Sequence, residues 1–365
     1  MLAAKPLFLQ AAMTKDEQYM LRCLQLAQQG AGFTAPNPMV GAVLEYKGEV
    51  IGEGFHEQYG GAHAEVNCIN DAINNGHENK LSQSTIYVSL EPCAHFGKTP
   101  PCADLIIHHK IPKVVIGCCD PFTEVNGKGI HKLKAAGVEV VVDVLKAQSE
   151  ELNKRFFTYH QQQRPYIILK WAQTKNGRIS SGTTERLYIT NEFTNRIVHQ
   201  WRSEEASILV GTNTALIDNP QLTNRYFNGK QPVRLVIDKE LRLPGTLKLM
   251  NDDASTIIFN YHKHHEEGQP QYFRIKNNET VIQQLLNALY RKKILSVLVE
   301  GGAQLLQSFI DGGLWDEARI ITNEAVIVEN GLAAPSLHSA LTIKTLNSLS
   351  DTIEFYKPIT KNNKQ

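Results

Sequence analysis

The chain has 365 residues, of which 42% are hydrophobic and 21% are charged, and its formal net charge is +1. This length predicts about two domains, each large enough to form its own core. The balanced charge argues against a broad nucleic-acid-binding surface, and no apolar run reaches the roughly 18 residues of a membrane span. Residues 1–12 are a weak match to a secretion signal. We therefore expect a cytoplasmic protein that acts on a small molecule, with neither nucleic acid nor membrane as a partner.

The first block of the chain is predicted to be a layered α/β domain. Apolar residues at helical spacing predict a helix over 16–29. Alternating patterns predict strands over 40–46 and 50–55, joined by a two-residue turn. Helices and strands then alternate, with helices over 64–74, 102–109 and 129–136 and strands over 85–90, 113–118 and 138–142. In such domains the functional residues gather at the turns between strands and helices.

Two of these turns carry the residues of a zinc site. His63 lies two residues before Glu65, and Cys93 is followed after an eight-residue gap by Cys102. One imidazole and two thiolates fill three positions around Zn²⁺ and leave the fourth for water, whose pKa the metal lowers. Glu65 is then free to transfer protons, which is the arrangement of zinc deaminases, although the cysteine gap in their general signature is two residues.

Two other interpretations of these residues stand beside the catalytic one. A closed structural zinc site needs a fourth protein ligand, for which His95 is the nearest candidate. A disulfide between Cys93 and Cys102 is disfavoured, because the chain lacks the cysteine density of small secreted domains. The remaining cysteines are expected to be small buried residues: Cys23, Cys68, Cys118 and Cys119.

The polar segment 148–164 is predicted to be a connector, formed by a helix that runs into a short linker. Beyond it, a second α/β domain is expected, with strands over 166–171, 207–211, 233–238, 256–260, 296–299 and 319–322 and helices over 192–202, 281–291 and 303–310. The turn at Gly301 and Gly302 leads into a helix, where glycines permit close approach of a phosphate. Ordinary turn chemistry is the alternative, and the absence of Gly-x-Gly-x-x-Gly disfavours a Rossmann domain.

Together these motifs resemble a known family. The first block, 13–147, resembles the cytidine-deaminase-like family, and the segments 36–41, 52–56, 63–66, 90–93 and 97–102 are similar to the bifunctional riboflavin-biosynthesis deaminase/reductases, whose cysteine gap is also wide. The second block, 165–365, is similar to the reductase half of that family, a dihydrofolate-reductase-like domain, through the segments 169–170, 176–179, 189–190, 211–214, 218–223 and 299–302.

The resemblance implies a role for individual residues in the deaminase half. It implies hydrolysis of the ring amine of a diamino-pyrimidinone ribosylamine phosphate, with one Zn²⁺ per chain held by His63, Cys93 and Cys102 and with Glu65 as proton shuttle. Substrate would be held by Asn37, His56, Lys98 and Asp120. For Lys98 and His56 the alternatives are a solvated lysine and a structural histidine.

For the reductase half the resemblance implies hydride transfer from NADPH to the opened ribosyl group. Its substrate would be bound by Lys170, Arg186, Arg202, Asp218, Leu222, Arg225 and Glu300. The cofactor would be bound by Ala172, Tyr188, Thr214, Asp218, Gly301, Gly302 and Ala303. Exposed surface arginines are the alternative for Arg202 and Arg225. The family also implies a homo-oligomer, a dimer or tetramer.

The sequence departs from the family pattern at several points. Phe122 and Thr123 follow Asp120-Pro121 where the family has Asn-Pro, and Arg186 replaces a substrate-contacting serine. An altered or inactive reductase half is therefore one alternative function. A deaminase of free nucleosides or RNA bases fused to an unrelated domain is a second, and a non-catalytic zinc-stabilised scaffold is a third.

Overall fold

The computed structural model describes residues 13–94, 96, 100–122, 126–182 and 187–359. The chain divides into two compact units between Gln161 and Gln162. No helix among the described residues is both long enough and apolar enough to cross a bilayer.

The first unit is built on a five-stranded sheet with the order β2-β1-β3-β4-β5. The strands are β1 (Gly41–Tyr46), β2 (Glu49–Phe55), β3 (Thr85–Val88), β4 (Lys113–Ile116) and β5 (Glu139–Val141). β1 pairs antiparallel with β2 and β3, whereas β3, β4 and β5 are parallel neighbours. All five strands were predicted from the sequence to within two residues at each end.

Six helices accompany this sheet: α1 (Lys15–Gln28), α2 (Ala64–Asn74), α3 (Cys102–His108), α4 (Lys128–Ala135), α5 (Lys146–Leu152) and α6 (Lys154–Gln162). Helices α2, α3 and α4 pack on one face of the sheet, around Leu44, Ile69 and Ile106. Helix α1 covers the other face, where Met20 packs against Val43. Because successive strand residues point to opposite faces, Val43 and Leu44 contribute to different cores. The unit therefore has three layers, α/β/α.

The polar segment predicted as a single connector helix is two helices, α5 and α6. They are separated by Asn153, which is buried. The Asn153 side chain bonds both the backbone N–H and the carbonyl of Met39, each at 2.8 Å. This contact ties the segment to the chain just before β1.

The second unit is built on a nine-stranded sheet with the order β10-β9-β8-β7-β11-β6-β12-β14-β13. The strands are β6 (Tyr166–Thr174), β7 (Ser207–Gly211), β8 (Val233–Ile237), β9 (Thr256–Asn260), β10 (Gln271–Arg274), β11 (Ser296–Gly301), β12 (Glu317–Asn323), β13 (Ala340–Ser348) and β14 (Asp351–Pro358). Neighbours from β10 to β12 are parallel, and β14 pairs antiparallel with β12 and β13.

The helices of this unit are α7 (Glu192–Glu204), α8 (Thr212–Asp218), α9 (Val281–Arg291) and α10 (Ala303–Asp311). The central strands are buried on both faces. Ile167 and Leu169 of β6 face the core that includes α9 and α10, whereas Tyr166 and Ile168 face the core that includes α7. The sequence patterns did not predict α8, β10, β13 or β14.

A fragment of residues 162–365 is expected to fold without the first unit, because its large apolar cores lie within that range. We expect a cooperative thermal unfolding transition, measured by circular dichroism at 222 nm. A fragment with ordered far-ultraviolet signal but no cooperative transition would contradict this expectation.

Candidate functional site

The first unit brings His63, Cys93 and Cys102 together. Their ligand atoms all lie within 4.8 Å of one another, with His63 Nδ1 at 3.7 Å from the sulfur of Cys93 and 3.3 Å from that of Cys102. His63 is the residue that precedes the first turn of α2, and Cys102 is the first residue of α3. Cys93 follows the end of β3. Three separate elements thus present one ligand each.

The chemistry of this donor set fits zinc. One nitrogen and two sulfurs are the ligands that Zn²⁺ prefers in a tetrahedral site with one open position. The hydrogen bond from Cys102, together with those from His63 and the Cys102 backbone, lowers the pKa of Cys93 to about 4, whereas the same bond raises the pKa of Cys102. One thiolate of the pair is therefore available at neutral pH, and the second proton leaves when a metal binds. All six cysteines are free, and no disulfide joins Cys93 to Cys102.

Glu65 is the buried carboxyl group of the site. Glu65 lies in the first turn of α2, and only 3% of its surface is exposed. Burial raises the pKa of its carboxyl group to about 7. A carboxyl group of that pKa can both accept and donate a proton near neutral pH. The fold therefore places a carboxyl group that titrates near neutral pH beside the three candidate metal ligands.

Asn37 and His56 form a hydrogen-bonded pair next to this cluster. His56 Nδ1 lies 2.9 Å from the carbonyl oxygen of Ala62, which can only accept, so Nδ1 carries the proton. His56 Nε2 then accepts from Asn37 Nδ2 at 3.2 Å. The ring centroids of His56 and His63 are 5.6 Å apart. Burial lowers the pKa of His56, which favours this neutral form.

Asp120 lies at another edge of the site. It is 8% exposed, and burial raises its pKa to about 7, with a further contribution from the charges of Glu91 and Cys93. Its carboxylate accepts the backbone N–H of Phe122 at 2.8 Å. Asn37, His56 and Asp120, which the family resemblance implied as substrate residues, thus lie near the same cluster.

Glu91 is a residue of this site to which the sequence patterns gave no role. Its buried carboxylate accepts four backbone N–H bonds: from Asp120 at 3.2 Å, Gly127 at 3.0 Å, Gly129 at 3.0 Å and Ile130 at 3.3 Å. Two of these donors lie in α4, and Glu91 itself is two residues from Cys93. One side chain therefore fixes Asp120 and the start of α4 relative to the metal ligands.

The second unit contains a cavity of about 1210 Å³ at the carboxyl ends of its parallel strands. Most of the predicted reductase residues line it: Lys170, Ala172, Tyr188, Arg202, Thr214, Asp218, Arg225, Glu300, Gly301, Gly302 and Ala303. Tyr188 is open to solvent, with 78% of its surface exposed. The volume exceeds what one drug-sized ligand needs, and it suits a dinucleotide with a second, smaller molecule.

An ion cluster stands in the wall of this cavity. Arg202 donates two hydrogen bonds to Glu300, at 2.8 and 2.7 Å, and the amine of Lys170 lies 3.7 Å from the same carboxylate. Burial opposes ionisation of Glu300, but the charges of Arg202 and Lys170 outweigh it and lower its pKa to about 2. Glu300 is therefore a permanent anion at neutral pH, and the pairing engages much of the guanidinium of Arg202.

The turn from β11 to α10 forms another part of the wall. Gly301 has a φ of 125°, a backbone conformation that favours glycine, and a Cβ added to Gly302 would lie 3.1 Å from Oγ1 of Thr214. No side chain caps α10, whose first residue is Ala303. The backbone N–H groups of its first turn can therefore bind an anion.

A smaller cavity of about 300 Å³ adjoins the larger one and shares Arg202, Arg225 and Tyr226 with it. Leu222, a predicted substrate residue, lines this smaller space. Arg225 is exposed, and its guanidinium donates to Oε1 of Gln221. Lys98, Arg186 and His95, which the sequence also singled out, lie outside the described residues.

Comparisons with known proteins agree with this arrangement. Residues 13–118 match the cytidine and deoxycytidylate deaminase zinc-binding region, and residues 165–329 match the RibD C-terminal domain. The riboflavin biosynthesis protein RibD of Aquifex aeolicus is 37% identical, over 94% of this chain and 98% of that protein. The chain belongs to the RibD family.

Solved RibD structures support the same conclusion. A deaminase/reductase from Thermotoga maritima is similar with a TM-score of 0.84 and 34% identity, covering 94% of this chain and 98% of that one. RibD from Acinetobacter baumannii has a TM-score of 0.86 at 30% identity, covering 94% and 99%. RibD membership confirms the resemblance, the two-domain α/β fold class and the deaminase and reductase functions that the sequence predicted, with zinc and NADPH as cofactors.

Replacing Glu91 by Gln is expected to destabilise the protein by about 2–3 kcal/mol, because an amide NH₂ would face two backbone N–H donors whichever way it is turned. Urea unfolding measures the change in the free energy of unfolding. The exposed Glu57 offers a matched control, whose change to Gln should alter it by less than about 0.5 kcal/mol. Equal changes in the free energy of unfolding for the two substitutions would show that the four Glu91 hydrogen bonds do not stabilise the fold.

Proposed function

We propose that the chain is a bifunctional enzyme of riboflavin biosynthesis that first deaminates diaminohydroxyphosphoribosylaminopyrimidine and then reduces 5-amino-6-(5-phosphoribosylamino)uracil. These are the substrates in the name of the similar Thermotoga maritima enzyme. The observation that carries the proposal is the convergence of His63, Cys93 and Cys102 beside the buried Glu65, in a chain that matches RibD proteins over both units.

In the deaminase unit, His63, Cys93 and Cys102 would hold one zinc ion. When bound, zinc lowers the pKa of a water molecule at its open position and makes it nucleophilic at neutral pH. Glu65 would take the proton of that water and deliver it to the leaving amine, so that the ring C–N bond is exchanged for C–O and ammonia leaves. The raised pKa of Glu65 suits both steps.

Around this centre, Asn37, His56 and Asp120 are proposed to hold the pyrimidine substrate. The Asn37–His56 hydrogen bond fixes the orientation of both groups, and the Glu91 bond to the backbone fixes Asp120. Lys98 is proposed as the phosphate ligand on the basis of its position in the sequence.

In the reductase unit, NADPH supplies a hydride for C1 of the opened ribosyl group. The proposed cofactor residues are Ala172, Tyr188, Thr214, Asp218, Gly301, Gly302 and Ala303, and the free N–H groups at the start of α10 would bind a cofactor phosphate. The proposed substrate residues are Lys170, Arg186, Arg202, Asp218, Leu222, Arg225 and Glu300. The ion pairs hold Lys170, Arg202 and Glu300 in place, so that these side chains would orient the substrate by hydrogen bonding. The same cluster would exclude water from that side of the cavity.

We further propose the domain bounds 13–147 for the deaminase and 165–365 for the reductase, with 148–164 as connector. A homo-oligomer in the cytoplasm is also proposed. The six free cysteines support a reducing compartment, since two of them are needed as metal ligands.

Product analysis tests the whole proposal. Purified protein would be incubated with diaminohydroxyphosphoribosylaminopyrimidine, with and without NADPH, and the products identified by mass spectrometry. We expect the deaminated ribosylamino compound without NADPH and the ribityl compound with it. Accumulation of the ribosylamino compound in both reactions would indicate that the departures near Tyr188 have inactivated the reductase half.

Replacement of Glu65 by Gln is expected to lower the deamination rate by several orders of magnitude, because the amide cannot carry the proton from water to the leaving amine. Ammonia release measures the rate, and atomic absorption measures zinc. The variant should keep its zinc, since Glu65 is not one of the ligands.

The Cys102→Ser variant is the comparison for this experiment. It should lose zinc and activity together, because a hydroxyl is a poor replacement for a thiolate ligand. Rapid ammonia release by zinc-loaded Glu65→Gln protein would rule out Glu65 as the proton carrier. Full zinc content in Cys102→Ser protein would require another ligand.

Substitution of Gly302 by Val is expected to abolish reduction and to leave deamination unchanged. Gly302 immediately precedes α10, and even a Cβ at this position would lie 3.1 Å from Oγ1 of Thr214 in α8, so the larger Val side chain would crowd the proposed phosphate site. NADPH oxidation and ammonia release measure the two activities on the same sample. A Gly302→Val protein that oxidises NADPH at the normal rate would show that the cofactor binds elsewhere.

A further inference from the structure

His199 is a buried residue of the reductase cavity that none of the proposed roles uses. It lies in α7, one helical turn from Arg202 along the chain, and only 1% of its surface is exposed. Its ring lines the large cavity, and it packs against Tyr226 with ring centroids 4.5 Å apart.

The hydrogen bonding of His199 determines which ring nitrogen carries the proton. The backbone N–H of Arg225 lies 2.9 Å from His199 Nδ1. An amide N–H can only donate, so Nδ1 is the acceptor and the proton of the neutral ring is on Nε2. Among the described residues, Nε2 has no hydrogen-bond partner. The ring thus offers one unused donor in the wall of a cavity.

The charges around His199 keep the ring neutral. Burial, together with the positive charges of Arg202, Arg225 and Lys170, lowers its pKa to about 4, although Glu300 acts in the opposite direction. At physiological pH the ring is therefore an uncharged donor that lies among the cations Arg202, Arg225 and Lys170. Arg225 and Lys170 suit a phosphate, whereas a neutral N–H suits an uncharged oxygen.

We propose that His199 is a substrate-binding residue of the reductase, whose Nε2–H donates a hydrogen bond to an uncharged oxygen of the substrate, a ribosyl hydroxyl or a pyrimidine carbonyl. The inference rests on the proposed reductase function of this cavity. The hydrogen bond that His199 Nδ1 accepts from the backbone N–H of Arg225 fixes the proton on Nε2 and fixes the direction in which Nε2–H points. In histidines generally, the hydrogen bond at one ring nitrogen determines the protonation of the other.

Two substitutions separate the two ring nitrogens. In His199→Asn the amide oxygen takes the place of Nδ1 and can still accept from Arg225, but no donor reaches the position of Nε2. In His199→Gln the amide nitrogen reaches the position of Nε2 and can donate, whereas the bond to Arg225 is lost. If His199 binds substrate, the Gln variant should retain more reductase activity than the Asn variant. If His199 has only a structural role, the Asn variant should retain more.

The measurement is steady-state reduction of 5-amino-6-(5-phosphoribosylamino)uracil by the full-length protein, followed by NADPH oxidation. We expect His199→Asn to lower kcat/KM by about 10- to 100-fold, the loss of one buried hydrogen bond of about 1.4–2.7 kcal/mol. His199→Gln should stay within about threefold of the wild type. Normal reduction by the Asn variant, or an equal loss in both variants, would overturn the inference.

Two controls keep this result interpretable. Wild-type protein that does not reduce the substrate would refute the proposed function itself, before any variant is considered. If a variant does not fold, histidine-selective ¹⁵N NMR of the wild type replaces it. The Nε2–H signal of His199 should move when the reduced product is added and stay in place with inorganic phosphate, and an unmoved signal at saturating product would refute the inference.

Discussion

Parallel pairing of neighbouring strands is the constraint on which the placement of these residues depends. Parallel strands bring their carboxyl ends to one edge of the sheet, where the chain must turn before it crosses back. In the first unit Glu91 and Asp120 follow the adjacent parallel strands β3 and β4. In the second, Gly302 follows β11 and Thr214 follows β7, its parallel neighbour. Residues far apart in sequence therefore meet because of strand order alone.

The zinc site was predictable because its residue types and their spacing are visible in the sequence itself. A histidine two residues before a glutamate at the start of a helix is typical of zinc deaminases, and the structure brings His63, Cys93 and Cys102 together. The roles of Glu91 and His199 could not be predicted in this way, because each depends on backbone N–H groups of distant residues. Arg225 and Gly129 donate through their backbone N–H groups, which every residue except proline has, so their residue types give no sign of the contact.

The missed secondary structure has a physical reason as well. Strand β13 is exposed along most of its length, so it lacks the alternation of apolar and polar residues that marks a half-buried strand. Its position at the edge of the sheet next to β14 is set by pairing, not by burial. Helix α8 has only one buried residue, Ala215, among its seven, so it shows no apolar face. Neither element could be predicted, because almost none of its residues are buried and a periodic pattern of apolar residues is therefore missing.

The two units use buried carboxyl groups in opposite ways. Glu65 and Asp120 are buried and their pKa values rise to about 7, whereas Glu300 is clamped by two cations and its pKa falls to about 2. The first kind can exchange protons at neutral pH, and the second is a fixed charge. A hydrolytic reaction needs proton transfer by the protein, but a reaction whose hydride comes from a cofactor needs mainly orientation.

Glu91 is a third kind of buried carboxylate, an anchor for backbone. The backbone N–H groups of Asp120 and Gly127 both donate to Glu91, so the two ends of the segment between them are bound to the same carboxylate. A change in the length or sequence of that stretch would therefore leave the Glu91 side chain and the nearby Cys93 in place, so this part of the site wall can be altered without rebuilding the rest.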